Sequence, residues 1–126
     1  MGDLTENFSR HEITCRCGCG EDDIDMNHVR TLQLARSEAG VTFKIASGCR
    51  CKKHNKLEGG KDTSSHLCKK SEDLKSKATD IECKTSIARA EILPALIRYF
   101  RRVGVGKGFV HVDSDKGKTQ DVIWVY

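Results

Sequence analysis

Proline and tryptophan each occur once in 126 residues, and aromatics make up only 6% of the chain. A proline-rich linker and an aromatic stacking platform for bases are therefore both missing. No apolar run approaches the roughly 18 residues that a bilayer span requires, so membrane insertion by a helix is not expected. The opening "MGDLTENFSR" lacks a basic segment followed by an apolar one, which predicts a chain made in the cytoplasm without an export signal. Neither sign of charge dominates: 22 Lys and Arg stand against 18 Asp and Glu, for a net charge of +4. With 37% hydrophobic residues, this composition excludes a disordered chain, and the slight positive excess does not choose among anionic partners. The cysteine count is seven, an odd number. Without an export signal, that argues for reduced thiols, some of them free to bind metal, rather than a disulfide framework.

What is present reads as one α+β domain spanning residues 1–126. Met26, Val29, Leu32 and Ala35 recur at helical spacing, with Asp23 or Asp25 as the N-cap and Gly40 as the stop. "VTFKIAS" alternates Val41, Phe43 and Ile45 against polar residues, as a half-buried strand does, and delivers the chain into "SGCRC". Residues 52–79 carry lysines, serines and a Gly-Gly pair with little periodicity, predicting a long functional loop with at most short helical turns. A second helix is expected over residues 85–102, kinked or restarted at Pro94. Two strands close the chain, "GFVHVDS" and "VIWVY", joined by the turn-like "DKGKTQ".

The chemistry-bearing residues cluster in the second half. Strand periodicity puts Phe109, His111 and Asp113 on one face and Val110 with Val112 on the other. His111 and Asp113 by themselves fit a structural hydrogen-bonded pair as well as a site. Upstream, His66 and Asp80 flank a polar stretch, "SSHLCKKSEDLKSKATDI". Two imidazoles and a carboxylate form a ligand set of the type that holds catalytic zinc, leaving a position for water, and such an ion lowers the pKa of that water to about 7.

Taken in order, "FSRHEITCRCGCG", "IASGCRC", "HN", "GG", "SSHL", "KATDI", "GVG" and "GFVHVD" with a terminal tryptophan resemble the M15 peptidases. That group comprises D-alanyl-D-alanine carboxypeptidases and phage endolysins and shares a fold with the Hedgehog signalling domain. Its hallmark is Ser-x-His-x-x-Gly-x-Ala-x-Asp, followed much later by a second zinc histidine. The resemblance implies a small α+β fold whose antiparallel sheet carries the ligands, with helices on one side. It makes Ser64 the hallmark serine, a substrate-side residue, and His66 and His111 the zinc histidines. The carboxylate departs from the pattern. At the family's spacing stands Asp73, yet "SKATDI" matches the family's segment far better if residues have been inserted near "CKKSEDL", so Asp80 is the expected ligand and Asp73 the alternative.

The resemblance also makes Arg50 a substrate-positioning and catalytic guanidinium, able to pair bidentately with a peptide carboxylate. Many members carry an acid three positions before the last histidine; here that position is Gly108. Asp113 is the remaining carboxylate for proton transfer, and orienting His111 is its other reading. Cys15, Cys17 and Cys19 alternate more closely than ordinary zinc-ribbon pairs; a thiolate metal site with Cys49, Cys51, Cys68 or Cys83 competes with the simpler reading of plain thiols. His11, His28 and His54 read as surface or satisfied histidines. The function implied is a zinc-dependent peptidase, endolysin-like or D,D-carboxypeptidase-like, that hydrolyses an amide bond of bacterial peptidoglycan peptide. It would be a monomer, phage or prophage encoded, reaching the wall after release. One rival is a wall- or metal-binding module of the same fold without catalysis, which Gly108 favours. The other is a Cys/His-rich nucleic-acid binder, against which the dispersed Lys and Arg count.

Overall fold

The computed structural model describes residues 2–126. A short helix α1 (Arg10–Ile13) opens under a Ser9/Glu12 capping box. Helix α2 (Met26–Ala39) starts where the Asp25 carboxylate accepts the Asn27 amide and ends where Gly40 turns left-handed at φ 68. Then come β1 (Ile45–Ser47), α3 (Lys52–Leu57), β2 (Ala78–Glu82), α4 (Ser86–Tyr99), β3 (Arg102–Val105), β4 (Phe109–Asp113) and β5 (Val122–Val125). No helix among the described residues is long and apolar enough to cross a membrane.

The five strands form one sheet in the order β1-β2-β4-β3-β5. Its core face carries Ile81, Val103, Val110 and Val112, which meet Val29, Leu32 and Ala35 of α2 and Ile92, Ala95 and Leu96 of α4 in one buried cluster. The α+β architecture with helices covering one face is as expected, but the sheet is mixed rather than wholly antiparallel. The three pairings β1–β2, β2–β4 and β3–β4 are antiparallel, whereas β5 runs parallel to β3. After β4 the chain passes beyond β3 and joins its outer edge, so β4 and β5 are not the simple hairpin that "DKGKTQ" suggests.

Other boundaries shift for local reasons. Helix α4 stops at Tyr99, and Arg102–Val105 is a strand that pairs with β4 through the turn at Gly106–Gly108. The signal was a Gly-Lys-Gly turn between two valine-rich runs, a hairpin pattern. Pro94 neither ends nor restarts α4. A proline inside a helix costs about 3 kcal/mol, and burial of Ile92, Ala95 and Leu96 around it outweighs that. Only Ile45–Ser47 of the expected first strand pairs, although Phe43 is buried as the alternation implies. The long loop contains α3 and a helical turn at Lys70–Glu72.

Candidate active site

The face of the sheet opposite the helices carries a row of residues, one from each strand. Ser47 is the register partner of Asp80, Asp80 of His111, His111 of Gly104, and Gly104 of Trp124. Because side chains alternate along a strand, partners in register share a face, so this row brings residues distant in sequence side by side. Gly104 is required at its place, since a Cβ there would lie 2.6 Å from the Trp124 ring. Its absence lets the indole reach over β3 to within 5.5 Å of the His111 ring.

His66 joins the row from the loop after α3. Its Nδ1 lies 2.7 Å from the Gly48 carbonyl oxygen and its Nε2 3.2 Å from Asp80 Oδ1. His111 presents Nδ1 to the same oxygen at 2.9 Å and Nε2 to Asp113 Oδ2 at 2.8 Å. All three side chains are largely buried. A carbonyl only accepts, so Nδ1 of His66 carries a proton, and in the neutral form of the ring the Nε2 lone pair faces Asp80. In neutral His111 with Nε2–H donating a hydrogen bond to Asp113, Nδ1 does the same. Two nitrogen lone pairs and one Asp80 oxygen then converge, while Arg50 holds the other Asp80 oxygen, and this is a donor set suited to a divalent cation. One atom from each of His66, Asp80 and His111 falls within 4.8 Å of the others. The residues therefore fit a metal ion.

The electrostatics agree. Burial works against the charged form of Asp80, but His111 and His66 outweigh it and hold its carboxyl below the usual range. Burial likewise disfavours a charged His111, and the carboxylates of Asp113 and Asp80 overcome it to raise its pKa. A site that draws a proton onto His111 in this way draws a cation equally well.

Around this centre the expected residues divide. Arg50 reaches Asp80 Oδ2 with Nη2 at 3.2 Å, Ser47 Oγ with Nε at 2.9 Å and Asn55 Oδ1 with Nη1 at 3.4 Å. Ser64 accepts the His66 amide on its hydroxyl and lines the same cleft. Asp113 has both oxygens engaged: besides His111 it accepts from Arg102 Nε at 2.8 Å and from the Asp115 amide at 3.1 Å. Asp73 is not in the site. It stands in the left-handed region at φ 52 on an outward loop closed by a Lys69–Leu74 bridge, with its side chain 91% exposed and paired with Lys75. After that loop the chain re-enters the sheet at Ala78.

A cleft of about 690 Å³ lies over the row. Arg50, Lys61, Arg102 and Lys118 give it a cationic wall, and Phe109, Trp124 and Tyr126 an aromatic one. Arg102 also stacks on Trp124, its guanidinium carbon 4.9 Å from the ring centre. The sequence did not flag Arg102, Lys61, Lys118 or the Glu58 carboxylate on the cleft wall. Arg102 was hidden by the helix expected through residue 102. His28 is buried and satisfied, with Nδ1 2.8 Å from Ser114 Oγ and Nε2 3.0 Å from Thr79 Oγ1 on the core side of the sheet.

A family profile described as Peptidase M15 matches residues 6–113. The chain belongs to the M15 peptidase family. It is thus a member of a metallopeptidase family, and its His66–Asp80–His111 cluster is where an M15 peptidase of this fold can hold a metal ion. No curated protein matches the chain.

Proposed function

We propose that this M15 peptidase is a zinc enzyme that hydrolyses an amide bond in the peptide of bacterial peptidoglycan, as an endolysin or D,D-carboxypeptidase does. The observation that carries the reading is the convergence of His66 Nε2, Asp80 Oδ1 and His111 Nδ1 at the floor of an open cleft. Zinc bound there supplies a Lewis acid that acidifies water and polarises a carbonyl. The remaining work falls to the chain. Asp113 accepts a hydrogen bond from His111 Nε2–H, which turns the Nδ1 lone pair inward and raises the ring's basicity. With its oxygens already held by His111, Arg102 and the Asp115 amide, Asp113 suits orientation better than proton shuttling. The Gly48 carbonyl performs the same service for His66. Arg50 and the Lys61, Arg102 and Lys118 wall suit a peptide carrying carboxylates, and Ser64 stands beside the bound chain. Hydrolysis adds the water oxygen to the carbonyl carbon, breaks the C–N bond and passes a proton to the departing amine.

The test is release of new amino groups and loss of turbidity from purified peptidoglycan, with and without a chelator. Chelator-sensitive release supports the reading. Metal binding without release favours the second reading, a non-catalytic wall-binding module, for which Gly108 in place of an acid speaks.

A further inference from the structure

The segment "CRCGCG" folds into an arrangement that the peptidase chemistry does not use. Cysteines at 15, 17 and 19 of an extended strand would lie about 7 Å apart along one face. Here Gly18 and Gly20, at φ 83 and 86, curl the run into a closed loop in which the Cys15 amide donates to the Glu21 carbonyl at 2.8 Å. The loop gathers its three thiols against Cys51, at the start of α3. Sulfur atoms of Cys15, Cys17, Cys19 and Cys51 all lie within 4.8 Å of one another. Cys15 and Cys17 are 3.5 Å apart and Cys17 and Cys51 3.7 Å. These separations far exceed the roughly 2.05 Å of a disulfide. They approach the edge of about 3.8 Å that a tetrahedron of thiolates has around an ion at about 2.3 Å.

We propose that Cys15, Cys17, Cys19 and Cys51 bind a structural zinc ion, separate from the His66–Asp80–His111 centre. Two amides point at the cluster as they do around metal-bound thiolates: Cys51 N–H to Cys15 Sγ at 3.5 Å and His54 N–H to Cys51 Sγ at 3.4 Å. Cys19 and Cys51 line a hollow that holds charges of both signs, among them Lys52, Lys53, Glu21 and Glu72. Cys49, Cys68 and Cys83 are buried elsewhere in the core and stay outside the cluster.

The ion would fasten the segment before α2 to the turn that carries Gly48 and Arg50. Cys51 follows Arg50 directly, and the two segments already meet where the Cys49 amide donates to the Ile13 carbonyl at 2.8 Å. Plain thiols at positions 17 and 19 would instead stand exposed and open to oxidation.

Cobalt substitution of the wild-type chain tests this without any variant, because the His/Asp centre contains no sulfur. Strong sulfur-to-cobalt charge-transfer absorption in the near ultraviolet, with the visible bands of a tetrahedral ion, is expected; its absence overturns the proposal. Elemental analysis should find about two zinc equivalents per chain, falling to about one in the Cys17→Ser/Cys19→Ser variant and to about one in His66→Ala/His111→Ala. A cysteine variant that keeps the full count, or a thiolate site filled with iron, overturns it as well. Loss of peptidase activity with the charge-transfer band intact would sink the peptidase reading and leave this one standing.

Discussion

The Gly48 carbonyl oxygen accepts a hydrogen bond from His66 Nδ1 at 2.7 Å, and that contact decides which nitrogen His66 turns toward Asp80. Gly48 is itself pressed against Ile13, where a Cβ would come within 2.9 Å of backbone and side chain. The α1 segment therefore backs the turn that orients a metal-facing imidazole. A backbone acceptor of this kind leaves no trace in residue type.

Asp80 and Asp73 make opposite predictions. Asp80→Asn should abolish stoichiometric metal retention and lower peptide hydrolysis by at least about 100-fold, above the range seen for residues that merely support ligands. Asp73→Asn keeps a residue tolerant of the left-handed conformation, so metal content and activity should be unchanged and stability within about 0.5 kcal/mol of wild type. Metal analysis and amine release on both variants check the pair.

Orientation of His111 by Asp113 has its own signature. Asp113→Asn should weaken metal affinity about 10–100-fold, measured by competition with a chromogenic chelator. A variant that binds metal as tightly as wild type yet loses turnover would make Asp113 the proton shuttle instead.

Arg50→Lys preserves charge but not the fork that spans Ser47, Asn55 and Asp80. Loss of hydrogen bonds to charged groups, each about 1.5–3 kcal/mol, should lower kcat/KM about 10–100-fold while metal content stays intact. Steady-state kinetics beside elemental analysis separates substrate positioning from damage to the centre.

His28 predicts how stability depends on pH. Burial lowers its pKa to about 3, with the Asp113 carboxylate pulling the other way. In the unfolded chain the ring titrates near 6.5. Between these values the unfolded state binds the extra proton, so this contribution is fully present above about 6.5 and is lost progressively as pH falls toward about 3. The full difference is on the order of 5 kcal/mol. His28→Gln, which cannot take up that proton, should flatten the fall in denaturant midpoint between pH 6.5 and 4 relative to wild type.

Local pattern was enough for much of the frame. Asp25 and Gly40 bracket α2 because a capping carboxylate and a left-handed glycine act within one turn of the backbone. The His111-and-Asp113 face of β4 follows from the two-residue repeat of any strand, and the preference for Asp80 over Asp73 came from the match of "SKATDI" to a short family motif. The helix across Pro94 was legible, but its C-terminal boundary was not: tertiary pairing takes Arg102 out of the helix and makes it an edge of the cleft.

Cross-strand register lay beyond the sequence. Ser47, Asp80, His111, Gly104 and Trp124 form a row only because five strands align in one particular offset, and a slip of one residue would turn each of them into the core. By itself the chain specifies which residues can bind metal and on which faces of their elements they sit, since those properties reside in side-chain chemistry and backbone period. Which of them meet, which imidazole nitrogen faces inward and which cysteines gather were decided by long-range contacts, whose partners lie tens of residues apart and whose geometry exists only in the folded state.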